Sequence, residues 1–288
     1  MASLRDIRKR IRSVKSTQKI TRAMKLVSAS KLRRAQQAIV AARPYAVTMH
    51  DMISRIAQKS KVESLHALLD KRDETRRVMV VVLTSDRGMC GAFNSNAIKK
   101  ADRYIAEHKK HWEAVELGAV GRRGRDYFKK RGFTIRREYS NIYDGLNFAV
   151  AQRIANEIRD EYLAKDLDAV YFVYNEFKSA VTQQVVVEQL LPIQPAKEET
   201  AGADYEYEPS PQEVLNELLP RYLATQVYRA LLESQASEHG ARMSAMENAT
   251  KNASEMIASL TLVYNRARQA AITKELMEII SGSEAQKG

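Results

Sequence analysis

The chain has 288 residues, enough for one large domain or two ordinary ones, and 28% of them are charged while only 7% are aromatic. With 11 glycines and 6 prolines, this composition favours a helix-rich protein over an all-β one. The single cysteine, Cys90, excludes an internal disulfide and fits a reducing compartment. No apolar run approaches the roughly 20 residues that span a bilayer.

The net charge of +12 is confined to the first 43 residues, which carry 13 Lys and Arg against one acid, Asp6. The other 245 residues hold 34 charges of each sign. An acidic partner surface is therefore expected to face the N-terminal segment. A basic, amphipathic start is also typical of a transit peptide, but its apolar spacing continues through the next thirty residues, so we interpret it as mature structure.

The first predicted element is one long helix. From Leu4 to Ile56, apolar residues recur at alternating intervals of three and four, which is the seam of a coiled coil. Pro44 is the one helix breaker in this stretch and removes an intrahelical hydrogen bond. We expect a kink or a local break there within one overall helix.

The seam is polar at four consecutive positions, from Gln18 to Ser28. In the same window Ile20, Met24 and Val27 carry the apolar spacing on a rotated face. The pattern therefore predicts that the seam changes sides there, or that the helix meets a different neighbour.

The middle of the chain alternates between strand and helix patterns, which predicts a mainly parallel, Rossmann-like sheet with right-handed crossovers. The last two strands are expected to form a hairpin. The predicted strands cover 77–85, 114–121, 133–139, 167–177 and 182–193, and the predicted helices cover 94–110, 122–132 and 146–165.

A second long helix is predicted in the C-terminal third. Ser210 is a suitable N-cap, Pro211 suits the first helical position, and Glu213 completes a capping-box pattern. A seam with intervals of three and four then runs from Leu215 to Ala271.

Both long helices exceed what a globular domain accommodates. A helix over 211–280 is roughly 105 Å long and the N-terminal one about 80 Å, against a typical helix of about 11–12 residues. We therefore expect the two to pack as an antiparallel coiled coil, with the α/β domain inserted between them. The predicted parts are a long helix over 1–60, an α/β domain over 76–193, an acidic linker over 194–210 and a long helix over 211–288.

The loop "TSDRGMCGAFN" after the first strand raises the question of nucleotide binding. It has Gly88 and Gly91 but no phosphate-binding lysine, and a Walker A motif occurs nowhere in the chain. The run "GAVGRRG" is not the dinucleotide pattern G-x-G-x-x-G either. A tight turn whose glycines permit positive φ or close packing is favoured over a phosphate cradle, and no cofactor is predicted.

Other chemistry is poorly supported. The five histidines lack metal-ligand spacing and there is one cysteine, so no metal site is predicted. The basic first helix is compatible with nucleic-acid binding, but its apolar seam is committed to a partner helix and Tyr45 is the first aromatic residue. Two alternatives stay open at this point: a basic coiled-coil nucleic-acid-binding protein and a nucleotide-binding α/β enzyme.

The C-terminal segment "ITKELMEIISGSEA" (272–285) resembles the signature of the γ subunit of F-type, bacterial-type ATP synthases. Ser283 replaces the usual alanine after the glycine of that signature. Similar segments occur in the family's order at 6–36, 43–46, 84–94, 189–192, 207–211 and 262–273. The matching signature positions are Ile272, Thr273, Glu275, Glu278 and Gly282.

This resemblance implies a non-catalytic central rotor stalk, present once per complex, inside an α3β3 hexamer. It implies further contacts with ε and the c-ring, no nucleic-acid partner, and a peripheral position at the cytoplasmic face of the bacterial inner membrane. It also implies contacts with the β subunits. The residues expected there are Arg8, Lys9, Arg12, Arg22, Met24, Lys25, Arg268, Gln269, Thr273 and Glu275.

Overall fold

The computed structural model describes residues 3–59, 66–70, 72, 74–180, 182–194 and 207–285. Two long helices enclose a central α/β segment in the chain, which confirms the predicted fold class. Most of the predicted linker over 194–210 lies outside the described residues. The helices are α1 (Leu4–Lys59), α2 (Phe93–His108), α3 (Arg122–Lys130), α4 (Phe148–Leu163) and α5 (Pro211–Ala285), and the strands are β1 (Arg77–Leu83), β2 (Ala114–Val120), β3 (Ile135–Tyr139), β4 (Ala169–Phe177) and β5 (Gln183–Leu191).

The backbone forms two compact units. One comprises Met1–Val27 with Met243–Gly288, and the other comprises Ser28–Arg242. We call them the helix-pair unit and the sheet unit. The boundary falls inside α1 and α5, so each long helix contributes to both units. The division into four parts made from sequence stays a prediction.

In the helix-pair unit, α1 and α5 run antiparallel with the predicted seam between them. Ile7 of α1 and Met246 and Ala253 of α5 are buried there. Residues earlier in α1 bond to residues later in α5, which is the pattern of an antiparallel pair. The hydrogen bond between Gln18 and Ser254 is one example. The antiparallel pairing predicted from the heptad spacing is therefore present.

The sheet has the order β3-β2-β1-β4-β5, with every neighbouring pair parallel except β4 and β5. The predicted hairpin of the last two strands is therefore confirmed. Helices cover both faces: α2 and α3 pack on one, while α4 and parts of α1 and α5 pack on the other. Burial on both faces explains why the β1 sequence is apolar at consecutive positions.

The helix boundaries follow local chemistry. The Ser210 hydroxyl accepts a hydrogen bond from the Glu213 N–H at 3.3 Å, so Ser210 caps α5 as predicted. Pro44 and Pro220 both lie inside continuous helices. The prediction of one overall helix through Pro44 is confirmed. The helix tolerates proline there because packing of the seam outweighs the single lost hydrogen bond.

Candidate functional site

The structure corrects one prediction, which concerned the polar section of the α1 seam from Gln18 to Ser28. The seam does not change sides, because Thr21 and Ser28 are buried while Ile20 and Val27 are more than half exposed. The side chains of the rotated apolar face are therefore exposed to solvent, and Gln18, Thr21 and Lys25 bond to α5.

Polar partners on α5 explain this arrangement. The Thr21 and Thr250 hydroxyl oxygens are 2.7 Å apart, and the Lys25 ammonium lies 2.6 Å from the Glu247 carboxylate. A buried hydroxyl must find a hydrogen-bond partner, and the Thr21 hydroxyl has one on each helix: the Gln18 carbonyl of α1 at 3.1 Å and the Thr250 hydroxyl of α5. The section therefore defines how the two helices align, a role that polar seam positions have in other coiled coils.

The structure places the predicted β-contacting residues on the helix-pair unit. Arg8 and Lys25 are engaged with α5, since Arg8 donates to the Tyr264 hydroxyl and Lys25 pairs with Glu247. Met24 and Lys25 are half-buried. The remaining predicted residues have exposed side chains: Lys9, Arg12, Arg22, Arg268, Gln269, Thr273 and Glu275.

The end of α5 extends beyond the start of α1. Arg8 lies opposite Tyr264, so Leu4 at the start of α1 is level with about residue 268 of the antiparallel helix. Residues 272–283 are all exposed, and the helix continues to Ala285. We call Ile272–Ala285 the helix tip; it is about 21 Å long and carries the predicted signature. Its large apolar side chains are 48–68% exposed: Ile272, Leu276, Met277, Ile279 and Ile280.

In the sheet unit, the place to look for a nucleotide is the crevice at the carboxyl ends of β1 and β4. The strand order reverses between these two strands, and open α/β sheets bind ligands at such a switch point. Phosphates are usually held there by free N–H groups at a helix N-terminus. The turn after β1 leads into α2, whose N-cap residue Ala92 makes no side-chain cap hydrogen bond, and the same turn also contacts the start of α3.

The donors of α3 are already used by the chain itself. Asp86 accepts hydrogen bonds from the N–H groups of Arg122 (3.2 Å) and Asn141 (3.0 Å), so a carboxylate occupies the position of an anion. The Gly124 N–H donates to the Thr84 hydroxyl at 2.9 Å, and the Arg123 N–H donates to the Ser85 carbonyl. The helix start therefore has an internal anion.

Helix α5 fills the rest of the crevice. Its Ser237 hydroxyl donates to the Asn175 carbonyl on β4 at 3.0 Å, and Arg242 donates to the Gly88 carbonyl at 3.3 Å. Ser237 is completely buried, and Glu238 is 7% exposed beside Arg242. Burial raises the pKa of the Glu238 carboxyl, against the lowering effect of Arg242. The crevice is packed with protein side chains.

The turn after β1 has the predicted character. Gly91 has a φ of 56°, and the Ser85 N–H donates to the Asn94 side chain at 2.9 Å, which ties the turn to α2. The prediction of a turn that uses positive φ is confirmed at Gly91. Within the described ranges, no group of three or more potential ligands could hold a metal ion, and no described helix could cross a membrane.

Known proteins match the whole chain. The family model described as "ATP synthase" matches residues 3–286. The "ATP synthase gamma chain" of Anaeromyxobacter sp. (strain Fw109-5) is 55% identical, and that of Geobacter sp. (strain M21) is 53% identical, each over 100% of both chains. The chain belongs to the ATP synthase γ chain family.

Solved structures agree with the γ chain assignment. A chain from the central stalk/c-ring structure of Tetrahymena thermophila mitochondrial ATP synthase is 28% identical, with a TM-score of 0.60 over 80% of this chain and 99% of that one. A chain from the Euglena gracilis mitochondrial ATP synthase has a TM-score of 0.66 at 22% identity, over 98% of this chain and 94% of that one, and shows the same fold. The resemblance identified from the C-terminal signature is thus confirmed.

Sequence reasoning missed the residues that close the crevice of this γ chain. Asp86 lies in the quoted loop, but its bonding partners are 36 and 55 residues away in the chain. Ser237 and Glu238 looked like ordinary polar positions of a long helix. Their one sequence signal is the density of small and polar residues in "ESQASEHGARMSA" (233–245), where the helix approaches other backbone closely.

Proposed function

We propose that the chain is the central rotor stalk of its ATP synthase and couples rotation of a proton-driven c-ring to ATP synthesis or hydrolysis at the β subunits. The observation that carries this proposal is the antiparallel helix pair with its exposed tip, in a chain of the γ family. The Tetrahymena neighbour comes from a central stalk/c-ring structure, which supports the same role.

The helix pair suits torque transmission for a physical reason. Two helices joined by a continuous seam resist twisting and bending more than one helix does, so a rotation applied at one end emerges at the other. A single asymmetric rod inside a ring of three equivalent sites contacts each site differently. These unequal contacts bias the sites towards different nucleotide affinities, and rotation then carries every site through all of the states.

The predicted partners follow from this role. One copy of the chain lies within an α3β3 hexamer and binds ε and the c-ring, and the complex is peripheral at the cytoplasmic face of the bacterial inner membrane. The exposed cations Lys9, Arg12, Arg22 and Arg268 are suited to acidic elements of the β subunits. Attraction between net charges falls off slowly with distance and angle, which suits a surface that turns past its partner.

The chain itself is proposed to be non-catalytic. The support is the crevice in the sheet unit, where Asp86 occupies the anion position and α5 packs against the ends of the strands. A carboxylate at this helix start and a long helix against the strand ends both support a chain that does not turn over nucleotide itself.

The proposal is tested by reconstitution with α and β subunits. The full chain is compared with one that ends at residue 271 and lacks the helix tip, and with a control that ends at residue 285 and keeps every described turn. We expect the full chain and the control to give the same ATPase rate and coupled rotation, whereas loss of the tip weakens both. Assembly and hydrolysis that do not depend on the chain at all would contradict the proposal.

A second measurement separates the rival functions. Calorimetric titration of ATP into the isolated chain should give no heat of binding, and duplex DNA should not be retained. Saturable nucleotide binding that an Asp86→Asn substitution alters would instead favour the enzyme hypothesis. Tight DNA binding that weakens steeply with salt would favour the nucleic-acid hypothesis.

A further inference from the structure

Strand β5 is the last strand of the sheet, and among the residues that the structure describes no strand pairs with its outer side. It pairs with β4 without interruption from Gln183 to Gln189. In an antiparallel pair, every second residue directs its N–H and C=O groups away from the neighbouring strand. No hydrogen bond from another described segment reaches these outer backbone groups. The outer side of 183–189 therefore presents a row of backbone donors and acceptors.

The opposite edge of the sheet is protected against pairing with another chain. Strand β3 has five residues, and three of them are charged: Arg136, Arg137 and Glu138. Arg136 and Arg137 both pair with Glu161 of α4. Short length and charged side chains are the features by which native proteins protect a sheet edge, and β3 has both.

Strand β5 lacks this protection. It has nine residues and contains no lysine, arginine or proline. Its one charged residue, Glu188, accepts a hydrogen bond from the Tyr174 hydroxyl at 2.6 Å and pairs with Arg229, so its charge is neutralised within the chain. The single irregularity in its pairing, at Leu190, comes after the open stretch. A long edge without protective features is a template for another strand.

Three consecutive valines indicate what kind of strand fits. Val185 and Val187 pack on the face covered by α2 and α3, whereas Val186 packs on the opposite face. All three are half-buried, so apolar surface remains open on both faces. The side chains of an added strand also alternate between the faces, so one strand covers both. Since 183–189 carries no unpaired charge, the complementary strand is uncharged and rich in β-branched residues.

We propose that the outer edge of 183–189 is a docking site for an extended segment of another subunit, which adds to the sheet as a sixth strand. Backbone hydrogen bonds provide the affinity, and side chains that pack on Val185, Val186 and Val187 provide the specificity. The inference rests on the proposed function in one respect, because a stalk present once per complex has no second copy to supply the strand.

Hydrogen–deuterium exchange of the backbone amides tests the site in the assembled ATP synthase. In the isolated chain, alternate amides of 183–189 should exchange fast, while those bonded to β4 exchange slowly. Assembly should slow the fast set at least about tenfold, because each amide gains a hydrogen bond. A fast set that stays fast in the complex would overturn the inference and leave the proposed function intact. A chain that never enters the complex would contradict the proposed function instead, and the edge is then decided by a synthetic strand.

The synthetic strand is a peptide of eight alternating valines and threonines, N-methylated at alternate residues so that only one of its edges can pair. The control peptide is N-methylated at every residue and cannot pair at all. Calorimetric titration into the isolated chain should show saturable binding of the first peptide and at least about tenfold weaker binding of the control. Equal binding of the two, or no saturable binding of the first, would overturn the proposal.

Matched variants locate the binding. Val186→Lys keeps every backbone group and places a charge on the edge, so it should weaken peptide binding at least about tenfold. Gln184→Lys, at an exposed position of the same strand, should weaken it too, with less risk to folding. Val40→Lys is the control, because Val40 is 67% exposed on α1 in the same unit, and it should leave binding unchanged.

Two results would assign the edge differently. Peptide binding that both edge lysines leave unchanged would place the peptide elsewhere. A dimer of the isolated chain that the same lysines dissociate would show that a second copy pairs with the edge. Either result would overturn the proposal.

Discussion

Gly121 shows how closely the chain packs at the start of α3. It has a φ of 83°, and a Cβ atom there would lie 2.2 Å from the carbonyl oxygen of Thr84. That oxygen is backbone and cannot move aside without disrupting the turn that follows β1. The position therefore requires glycine for two reasons, its backbone conformation and its contact.

Gly121→Ala should lower the free energy of unfolding by about 3 kcal/mol or more, because left-handed strain adds to a backbone clash. Gly132→Ala is the matched control, since Gly132 has a φ of 78° but a Cβ atom added there would meet nothing within 4 Å. Strain alone should cost the control about 1 kcal/mol. Urea unfolding of the two variants measures the difference, and equal losses would show that the contact with Thr84 does not matter.

His239 gives the sheet unit a pH dependence. It is 8% exposed, and burial, with Arg242 and Lys31 nearby, lowers the pKa of its imidazole to about 4, while Asp144 opposes the shift. The unfolded chain binds a proton near the ordinary histidine value and the folded chain does not. Stability is therefore lost as the pH falls from about 6.5 towards about 4.

Between about pH 7.5 and about pH 5, the parent chain should lose about 2 kcal/mol of its free energy of unfolding through this linkage. The His239→Gln variant should not show that loss. Glu238, the neighbouring buried carboxyl, has a raised pKa and contributes with the opposite sign, so the difference between the two chains isolates the histidine. Urea unfolding at both pH values provides the measurement. Parallel pH profiles for the two chains would refute the buried neutral imidazole.

At the scale of elements, the polar section of the helix pair is the part whose energetics are least obvious. Thr21 and Thr250 share a hydrogen bond across the seam, and Thr250 also donates to the Met246 carbonyl. Removing one hydroxyl leaves the other without its cross-helix partner. Removing both leaves an apolar seam like that at Ile7 and Ala253.

A double-mutant cycle with Thr21→Val and Thr250→Val should show this coupling. Each single change should cost about 1 kcal/mol, and the double change should cost less than the sum, since each single variant has already lost the one cross-helix hydrogen bond. Thermal unfolding of the four chains gives the coupling energy. Additive losses would mean that the hydroxyls act separately.

The long helices were the easiest elements to predict and the polar section was the hardest. Heptad spacing is a local signal, so Leu4–Ile56 and the seam to Ala271 could be identified from either helix alone. The section from Gln18 to Ser28 was misinterpreted because its stabilising contacts lie on the other helix, more than 200 residues away in the chain. A rotated apolar stripe was the reasonable local inference, and hydrogen bonding across the seam overrode it.

At the scale of the whole molecule, the antiparallel alignment brings distant parts of the chain together. Thr21 and Thr250 are 229 residues apart in the chain, yet their hydroxyl oxygens are 2.7 Å apart. A covalent link at this point would close a loop that contains the complete sheet unit.

Thr21→Cys with Thr250→Cys should therefore form a disulfide under mild oxidation and migrate faster on a gel without reductant. The chain-entropy model gives a stabilisation of about 5 kcal/mol for so long a loop, visible as a higher denaturation midpoint. Thr21→Cys with Lys251→Cys is the control, since Lys251 is exposed on another side of α5. Equal cross-linking of both pairs would refute the alignment.

The mainly parallel sheet and the inserted arrangement followed from the alternation of patterns, whereas the filled crevice did not. Its closure depends on Asp86 meeting Asn141 and on Ser237 meeting Asn175, contacts that only the folded topology creates. Glycine spacing argued against a phosphate cradle without indicating what takes its place.

The carboxylate of Asp86 has a consequence for a chain of this family. The N–H groups at a helix start attract anions, and Asp86 supplies one from within the chain. With a tethered negative charge already seated there, the local concentration of that charge is fixed by covalent bonds. A free anion would therefore have to displace this carboxylate before it could reach the N–H groups of Arg122 and Asn141.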